Sequence, residues 1–254
     1  MGTSESGGTG LPEGIELAWG LRERPGKGPK RALTLRAVVE AAVRVGSAEG
    51  LEAVSMSRVA SELGVSPMAL YRYVPSKNDL LTLMMDEVFG PPPPLPDAGE
   101  HGWRAALGAW MSAMRAALAQ HPWILRVPIT GPPTMPNNVR WMEAGLRAMR
   151  GMGLSGGERL SALMLLSTYV RSDVTLQHDL QAAWRAASAS EAEVLRGYGA
   201  LLATLTDAER FPELHALLDE GVFEWAVDDP DADFAFGRER LLDGLELLVA
   251  RRSG

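Results

Sequence analysis

The sequence predicts an all-α protein, and three observations carry that prediction. Alanine, leucine, methionine and arginine recur at helical spacing along most of the chain. No stretch sustains the apolar and polar alternation of a half-buried strand between turn dipeptides. Caps, glycine stops and proline breaks divide the chain into pieces of helical length. The expected arrangement is a small N-terminal helical module containing a helix-turn-helix, followed by a larger helical domain.

Residues 1–31 read as an extension: a Gly/Ser tail, a short apolar patch (Ile15, Leu17, Trp19, Leu21) and an extended PGKGPKR stretch. Thr34 is placed to cap a first helix whose apolar face is Leu35, Val38, Val39, Ala42 and Val43, and Gly50 to end it. Ser55 caps a second helix, with Val54 and Val59 at the spacing of a hydrophobic staple, and Gly64 stops it. Ser66 is set to cap a third, with Pro67 at its first position and Val65 and Leu70 as a second staple. Pro75 then breaks the chain before Ser76 and Asp79, spaced like a capping box for a helix through about Phe89.

The four consecutive prolines of GPPPPLPD, Gly90 to Asp97, cannot continue a helix and mark the domain boundary. The expected division is 1–31 extension, 32–90 helix-turn-helix domain and 91–254 larger helical domain. Beyond the boundary, helices are expected near 102–120, 137–151, 157–186, 190–205, 211–220 and 233–251, with a Pro-rich loop from Val127 to Pro136.

Composition narrows the function classes. Zero cysteines among 254 residues exclude disulfides, thiol nucleophiles and cysteine metal sites. No apolar run reaches the eighteen or so residues of a membrane span, and MGTSESGGTG lacks the basic and apolar regions of a signal peptide, so the expectation is a cytoplasmic protein with no membrane partner. The net charge of -7 hides an asymmetry. Residues 22–77 carry ten Lys/Arg against five Glu, and all three lysines (Lys27, Lys30, Lys77) fall there. That segment suits phosphate, and the acidic remainder repels it.

The helix, turn and helix around Gly64 would offer the second helix to a major groove. Leu70 and Val74, four apart, share a face and should pack against Val59, Ala60 and Leu63, leaving Pro67, Met68, Tyr71 and Arg72 outward. Tyr71 and the helix start beside Lys77 are suitable phosphate donors. The same residues also fit an ordinary short core helix with half-buried tyrosines. The arm carrying Arg22, Arg24, Lys27, Lys30 and Arg31 suits a DNA backbone or minor groove and equally a solvated tail.

The stretch AEGLEAVSMSRVASELGVSPMALYRYVPSKNDLL, Ala48 to Leu81, resembles the DNA-binding domain of the TetR family of bacterial transcriptional repressors, including the LY, aromatic and SK pattern before the fourth helix. The stretch ITGPPTMPNN through WMEAGLRAMRGMGLSGGERLSALMLL, with ERFPELHALLDEG, is similar to the subgroup whose C-terminal domain is that of the tetracycline repressor. The resemblance implies that Ser57, Arg58, Pro67, Met68 and Ala69 lie against base edges. It also implies that Ser55, Tyr71, Tyr73 and Lys77 anchor phosphates, with Arg72 able to reach either. Pro67, Met68 and Ala69 offer no side-chain donor, so readout there would lean on thymine methyl groups and on Arg58 or Arg72.

For the larger domain the resemblance implies a homodimer that holds a small-molecule effector and releases operator DNA. The candidate lining is Trp110, Met111, Met114, Trp123, Trp141, Met142, Met164, Thr168 and Tyr169, an apolar set that also fits a plain core. Ser167, Arg171 and Asp173 add polar groups along the same helix. Tetracycline repressors chelate the drug's magnesium through a histidine just before the loop that Thr130, Gly131 and Pro132 match. Here Val127, Pro128 and Ile129 stand in that neighbourhood, so tetracycline is not expected. His101, His121, His178 and His215 have no metal-ligand spacing, and no phosphate loop, nucleophile elbow or paired carboxylates are found. No cofactor and no metal are expected, and no enzymatic activity. The dimer candidates are Leu241, Leu245 and Leu248 of the last helix against Leu160 and Leu163 of the long one; burial within one subunit fits the same stripe. The competing reading from another class is a helical carrier or enzyme with a non-functional helix-turn-helix.

Overall fold

A computed structural model of the chain describes residues 11, 13–21, 33–129, 131–224 and 231–253. Among the described residues there are twelve α-helices and no strand. They are α1 Glu13–Ala18, α2 Leu35–Glu49, α3 Met56–Leu63, α4 Pro67–Tyr71, α5 Lys77–Phe89, α6 Ala98–His101, α7 Trp103–Gln120, α8 Pro136–Ala148, α9 Gly156–Ala187, α10 Glu191–Leu205, α11 Pro212–Asp219 and α12 Ala232–Ser253. Short 3₁₀ turns lie at Leu51–Ala53 and Pro122–Arg126. No described helix is long and apolar enough to cross a membrane.

Most starts follow from a side-chain oxygen that meets an otherwise unpaired amide. Thr34 Oγ1 accepts from Ala37 N at 3.1 Å and Ser55 Oγ from Arg58 N at 3.1 Å. Ser66 holds the cap position of α4, yet its side chain makes no capping bond. Pro67 at the first helical position has no N–H, so fewer donors need capping. Ser76 caps α5 by accepting from Asp79 N at 3.1 Å, but the return bond differs from a capping box: the Ser76 hydroxyl donates to Asp79 Oδ2 at 2.6 Å.

The chain divides into two compact units, one running up to Arg171 and taking in Val249 onward, the other from Ser172 to Leu248. In the first, α2, α3, α4 and α5 enclose a core in which Val38, Ala41, Ala42, Val54, Val59, Leu70, Val74, Leu80 and Met84 are at most 1% exposed. The apolar face expected of the first helix is this core's floor, with Leu35 and Val43 at its edge.

Two segments of this unit were not legible as structure in the sequence. The patch assigned to the extension forms α1, which packs on α5, with Ala18 against the core. A Cβ at Gly14 would lie 2.4 Å from Asp79 Oδ1, so only glycine allows the approach. Trp19 Nε1 then donates to Thr134 O at 2.8 Å. The Gly/Ser tail, the basic stretch from Arg22 to Arg31 and Thr130 lie outside the described residues. The turn at Pro122–Arg126 carries Trp123 onto the same core, where its Nε1 donates to Ser47 Oγ at 3.3 Å.

Further along, α7 and α8 pack together, and Arg252 pairs with Glu158 at 2.6 Å. Within the second unit, α10 starts on a full capping box between Ser190 and Glu193. Tyr198 meets Phe223 edge-on at 5.6 Å, and Thr206 Oγ1 lies 3.0 Å from His215 Nε2.

Candidate nucleic-acid interface and effector site

The turn between α3 and α4 depends on Gly64, whose φ of 67° is left-handed. Its amide reaches back to α3, and Val65 N donates to Ala60 O at 3.0 Å, so the chain reverses within three residues. That reversal lays α4 across α3. Leu70 and Val74, both 0% exposed, fasten it from below.

Its other side faces solvent. Met68 is 75% and Tyr71 47% exposed, and Pro67, Arg72, Ser57 and Lys77 are exposed as well. Ala69 and Tyr73 are half-buried, and Tyr73 leans on the module's core. Ser55 is half-buried, its hydroxyl already occupied by the Arg58 amide. Lys77 opens the 13-residue α5, so its ammonium sits beside the partial positive charge of a helix start. Neither Arg72 nor Lys77 pairs with a carboxylate among the described residues.

Arg58 is in a different position from these. Its Nε donates to Glu49 Oε1 at 3.1 Å and its Nη1 to Glu62 Oε2 at 3.1 Å. Those partners raise the guanidinium pKa further and hold the Glu49 carboxyl below its ordinary range. An arginine expected at base edges therefore has its donors turned to its own module, tying α2 to α3. Glu62 lies four residues beyond Arg58, the spacing at which opposite charges meet on a helix, and that signal was present in the sequence.

The expected effector lining is brought together only in part. Trp110 (2% exposed), Met111 (0%) and Met114 (6%) of α7 share the buried interior with Trp141 (2%) of α8. Trp110 Nε1 donates to Trp141 O at 3.0 Å, and the two rings meet edge-on with centroids 6.4 Å apart. Trp141 also stacks on Phe89 at 4.9 Å and donates from Nε1 to Gly90 O at 3.0 Å. Both indole N–H groups are thus spent on backbone, which leaves ring faces and thioethers as the offered chemistry. A Cβ at Gly145 would lie 2.3 Å from Leu163 Cδ2 and 3.1 Å from Trp110, so α8 approaches closely there.

Other members of that set lie elsewhere. Trp123 sits against Gly46 and Ser47 of α2 rather than beside Trp110. Met164 is 70% exposed and Thr168 is exposed; with Leu160, 51% exposed, they fall at four-residue intervals on the outer face of α9. Met142 and Tyr169 are half-buried. The Ser167 hydroxyl donates to Leu163 O of its own helix at 2.7 Å, and burial pushes the Arg171 guanidinium pKa down. The dimer set also divides: Leu163 and Leu245 are 6% and 7% exposed, whereas Leu160 and Leu248 face solvent and Leu241 is half-buried.

Sequence reasoning missed one group. Asp86 of α5 is 8% exposed, and its Oδ1 accepts from Asn137 N at 2.9 Å, Asn138 N at 3.2 Å and Asn138 Nδ2 at 3.3 Å. Asn137 Nδ2 returns a bond to Asp86 O at 2.8 Å. A carboxylate three residues beyond Leu83, on the buried face of α5, was the available sign. Among the described residues no cluster of three or more His, Asp or Glu is placed to hold a metal ion.

The profile described as "Bacterial regulatory proteins, tetR family" matches residues 38–84, and that described as "Tetracyclin repressor-like, C-terminal domain" matches residues 95–249. The HTH-type transcriptional repressor DrrR1 of Streptomyces coeruleorubidus is 43% identical over 255 residues, covering 100% of this chain and 92% of that protein. Apo ActR from Streptomyces coelicolor superposes with a TM-score of 0.72 at 26% identity, over 89% of this chain and 100% of that one. ActR in complex with actinorhodin does so with a TM-score of 0.69 at 28% identity, over 86% and 99%.

Proposed function

Because the chain belongs to the tetR family of bacterial regulatory proteins, we propose that it is a ligand-responsive transcriptional repressor that binds operator DNA as a homodimer and is released by a small, largely apolar effector. The observation that carries this reading is the exposed set Met68, Tyr71, Arg72 and Lys77 on the outer side of a firmly buried helix-turn-helix. Two cations without carboxylate partners beside a helix start suit phosphate, and Met68 and Pro67 suit thymine methyl groups. Ser57 and Ala69 flank that surface, Tyr73 and Ser55 support it from the core side, and Arg58 holds the module together.

The division into 32–90 and 91–254 follows the two family matches, 38–84 and 95–249. In the second domain the effector would meet the Trp110, Met111, Met114 and Trp141 faces, with Met142 and Tyr169 at their margin. The exposed Leu160, Met164 and Leu165 of α9 and Leu248 of α12 would pair with a second copy. A two-fold dimer calls for a near-palindromic operator with half-sites about 34–36 Å apart. The protein works in the cytoplasm and has no catalytic role of its own.

The test is fluorescence anisotropy on labelled DNA from upstream of its own gene, at several salt concentrations. Wild type is expected to bind with a steep salt dependence, and Tyr71→Ala with Lys77→Ala to flatten the slope of log affinity on log salt by about 0.9 per lost contact. Actinorhodin is the first compound to try for release, since an ActR complex with it is known. Salt-independent binding, or an unchanged slope in the double variant, overturns the DNA-binding reading.

A further inference from the structure

We propose that Asp86 is the positioning residue that makes the DNA-binding helices and the effector-binding helices move together, by serving as the N-terminal cap of a helix to which it is not attached in sequence. The proposal rests on the repressor reading above and adds to it the residue that transmits the signal.

The first amides of a helix have no partner within it. In α8 the residue before the helix, Met135, makes no side-chain capping bond, and Pro136 contributes no N–H. The next two amides, Asn137 and Asn138, both go to Asp86 Oδ1 of α5. A negative charge there also matches the positive end of the helix. Asn137 Nδ2 donates to the Asp86 carbonyl, so the contact involves both side chain and backbone of α5.

Burial makes this contact obligatory. With Asp86 only 8% exposed, water cannot replace a lost partner, and separating the helices would strand a carboxylate and two amides at once. One turn further along α8, Trp141 stacks on Phe89 and bonds to Gly90 O. Its own carbonyl accepts from Trp110 of α7. At the other end of α5, about 14 Å away by helical rise, lies Lys77 beside the recognition helix. A rigid α5 therefore has the proposed phosphate contact at one end and the α8 cap near the other. A shift of α8 against α7 must be carried into α5, and fixing α5 on DNA must steady α8, because coupling between two sites is reciprocal.

The test is hydrogen–deuterium exchange on the full chain, with and without the same upstream DNA. In wild type, DNA should slow exchange across 56–77 and also, by about fivefold or more, across 136–141. Asp86→Ala should keep the slowing at 56–77 and lose it at 136–141. Asp86→Asn, which retains an acceptor oxygen at the same place, should restore it. Asn137→Ala removes one bond without leaving a buried charge unpaired; it should weaken the response at 136–141 and carries the test if Asp86→Ala does not fold. Slowing at 56–77 with none at 136–141 in wild type overturns the proposal, as does a wild-type response in Asp86→Ala or, failing that, in Asn137→Ala. Absence of slowing at 56–77 in wild type overturns the DNA-binding reading itself.

Discussion

Leu70 and Met68 are two residues apart on a five-residue helix, and truncating each to alanine should break different things. Leu70 is 0% exposed, and its surroundings include Val59 (0%), Ala60 (1%) and Val74 (0%). Leu→Ala at such a site costs about 2–5 kcal/mol, and the neighbours, held by two helices and a tight turn, have little freedom to close the cavity. The expected loss is therefore in the upper half of that range, about 3–4 kcal/mol. For a cooperative unit of this size that lowers the unfolding midpoint by about 10 °C. Met68, 75% exposed, has almost no burial to lose, so Met68→Ala should change stability by no more than about 0.5 kcal/mol. Its loss should appear in binding, where a lost base-edge contact costs about 1 kcal/mol or more, several-fold in affinity. Thermal unfolding by circular dichroism and anisotropy on the upstream DNA, at a temperature where both variants are folded, separate the two effects. Equal midpoints for the two variants, or full DNA affinity in Met68→Ala, would refute the assignment of inner and outer faces to α4.

Three further outcomes are expected. Gly64→Ala should cost about 1–2 kcal/mol, entirely through the left-handed backbone, because a Cβ there meets nothing within 4 Å; Gly64→Asn should recover most of it in denaturant unfolding. Ser76→Ala, which removes both the cap on Asp79 N and the hydroxyl bond to its carboxylate, should cost about 1 kcal/mol in the same assay. Burial raises the Asp86 pKa above 3.8, against the opposing bonds from Asn138 and Asn137 and the nearby charge of Arg140. The folded state thus holds that proton more tightly than the unfolded chain. Its contribution is fully present below pH 3.8 and is lost as pH rises through the folded value, so wild type should lose stability relative to Asp86→Asn over that rise. A stability difference between the two that does not vary with pH would remove that account.

Local chemistry was legible from the sequence wherever one residue type can do only one thing. Thr34, Ser55 and Ser76 start their helices and Gly50 and Gly64 end theirs as their caps and stops imply, because these signals act within a few residues. Leu70 and Val74 point inward because a helix repeats every 3.6 residues whatever surrounds it. The all-α fold and the family follow from the same local information.

Contacts between residues distant in sequence were not legible. Whether Met164 lines a cavity or faces solvent depends on which side of α9 other helices cover, and an apolar stripe has the same pattern in either case. Trp123 was grouped with Trp110 by proximity in sequence, yet a 3₁₀ turn after His121 carries it to Ser47, 76 residues back. Arg58 had a readable partner in Glu62, but Glu49 comes from another helix, and only packing brings both carboxylates to one guanidinium. Asp86 is the clearest case: nothing near it in sequence needs a cap, and the amides it serves are 51 and 52 residues away. The sequence by itself determined where helices begin, end and turn their apolar faces, since those depend on short-range sterics and hydrogen bonding. The tertiary structure alone decided which polar groups are buried against which, since desolvation is set by neighbours that chain order does not name.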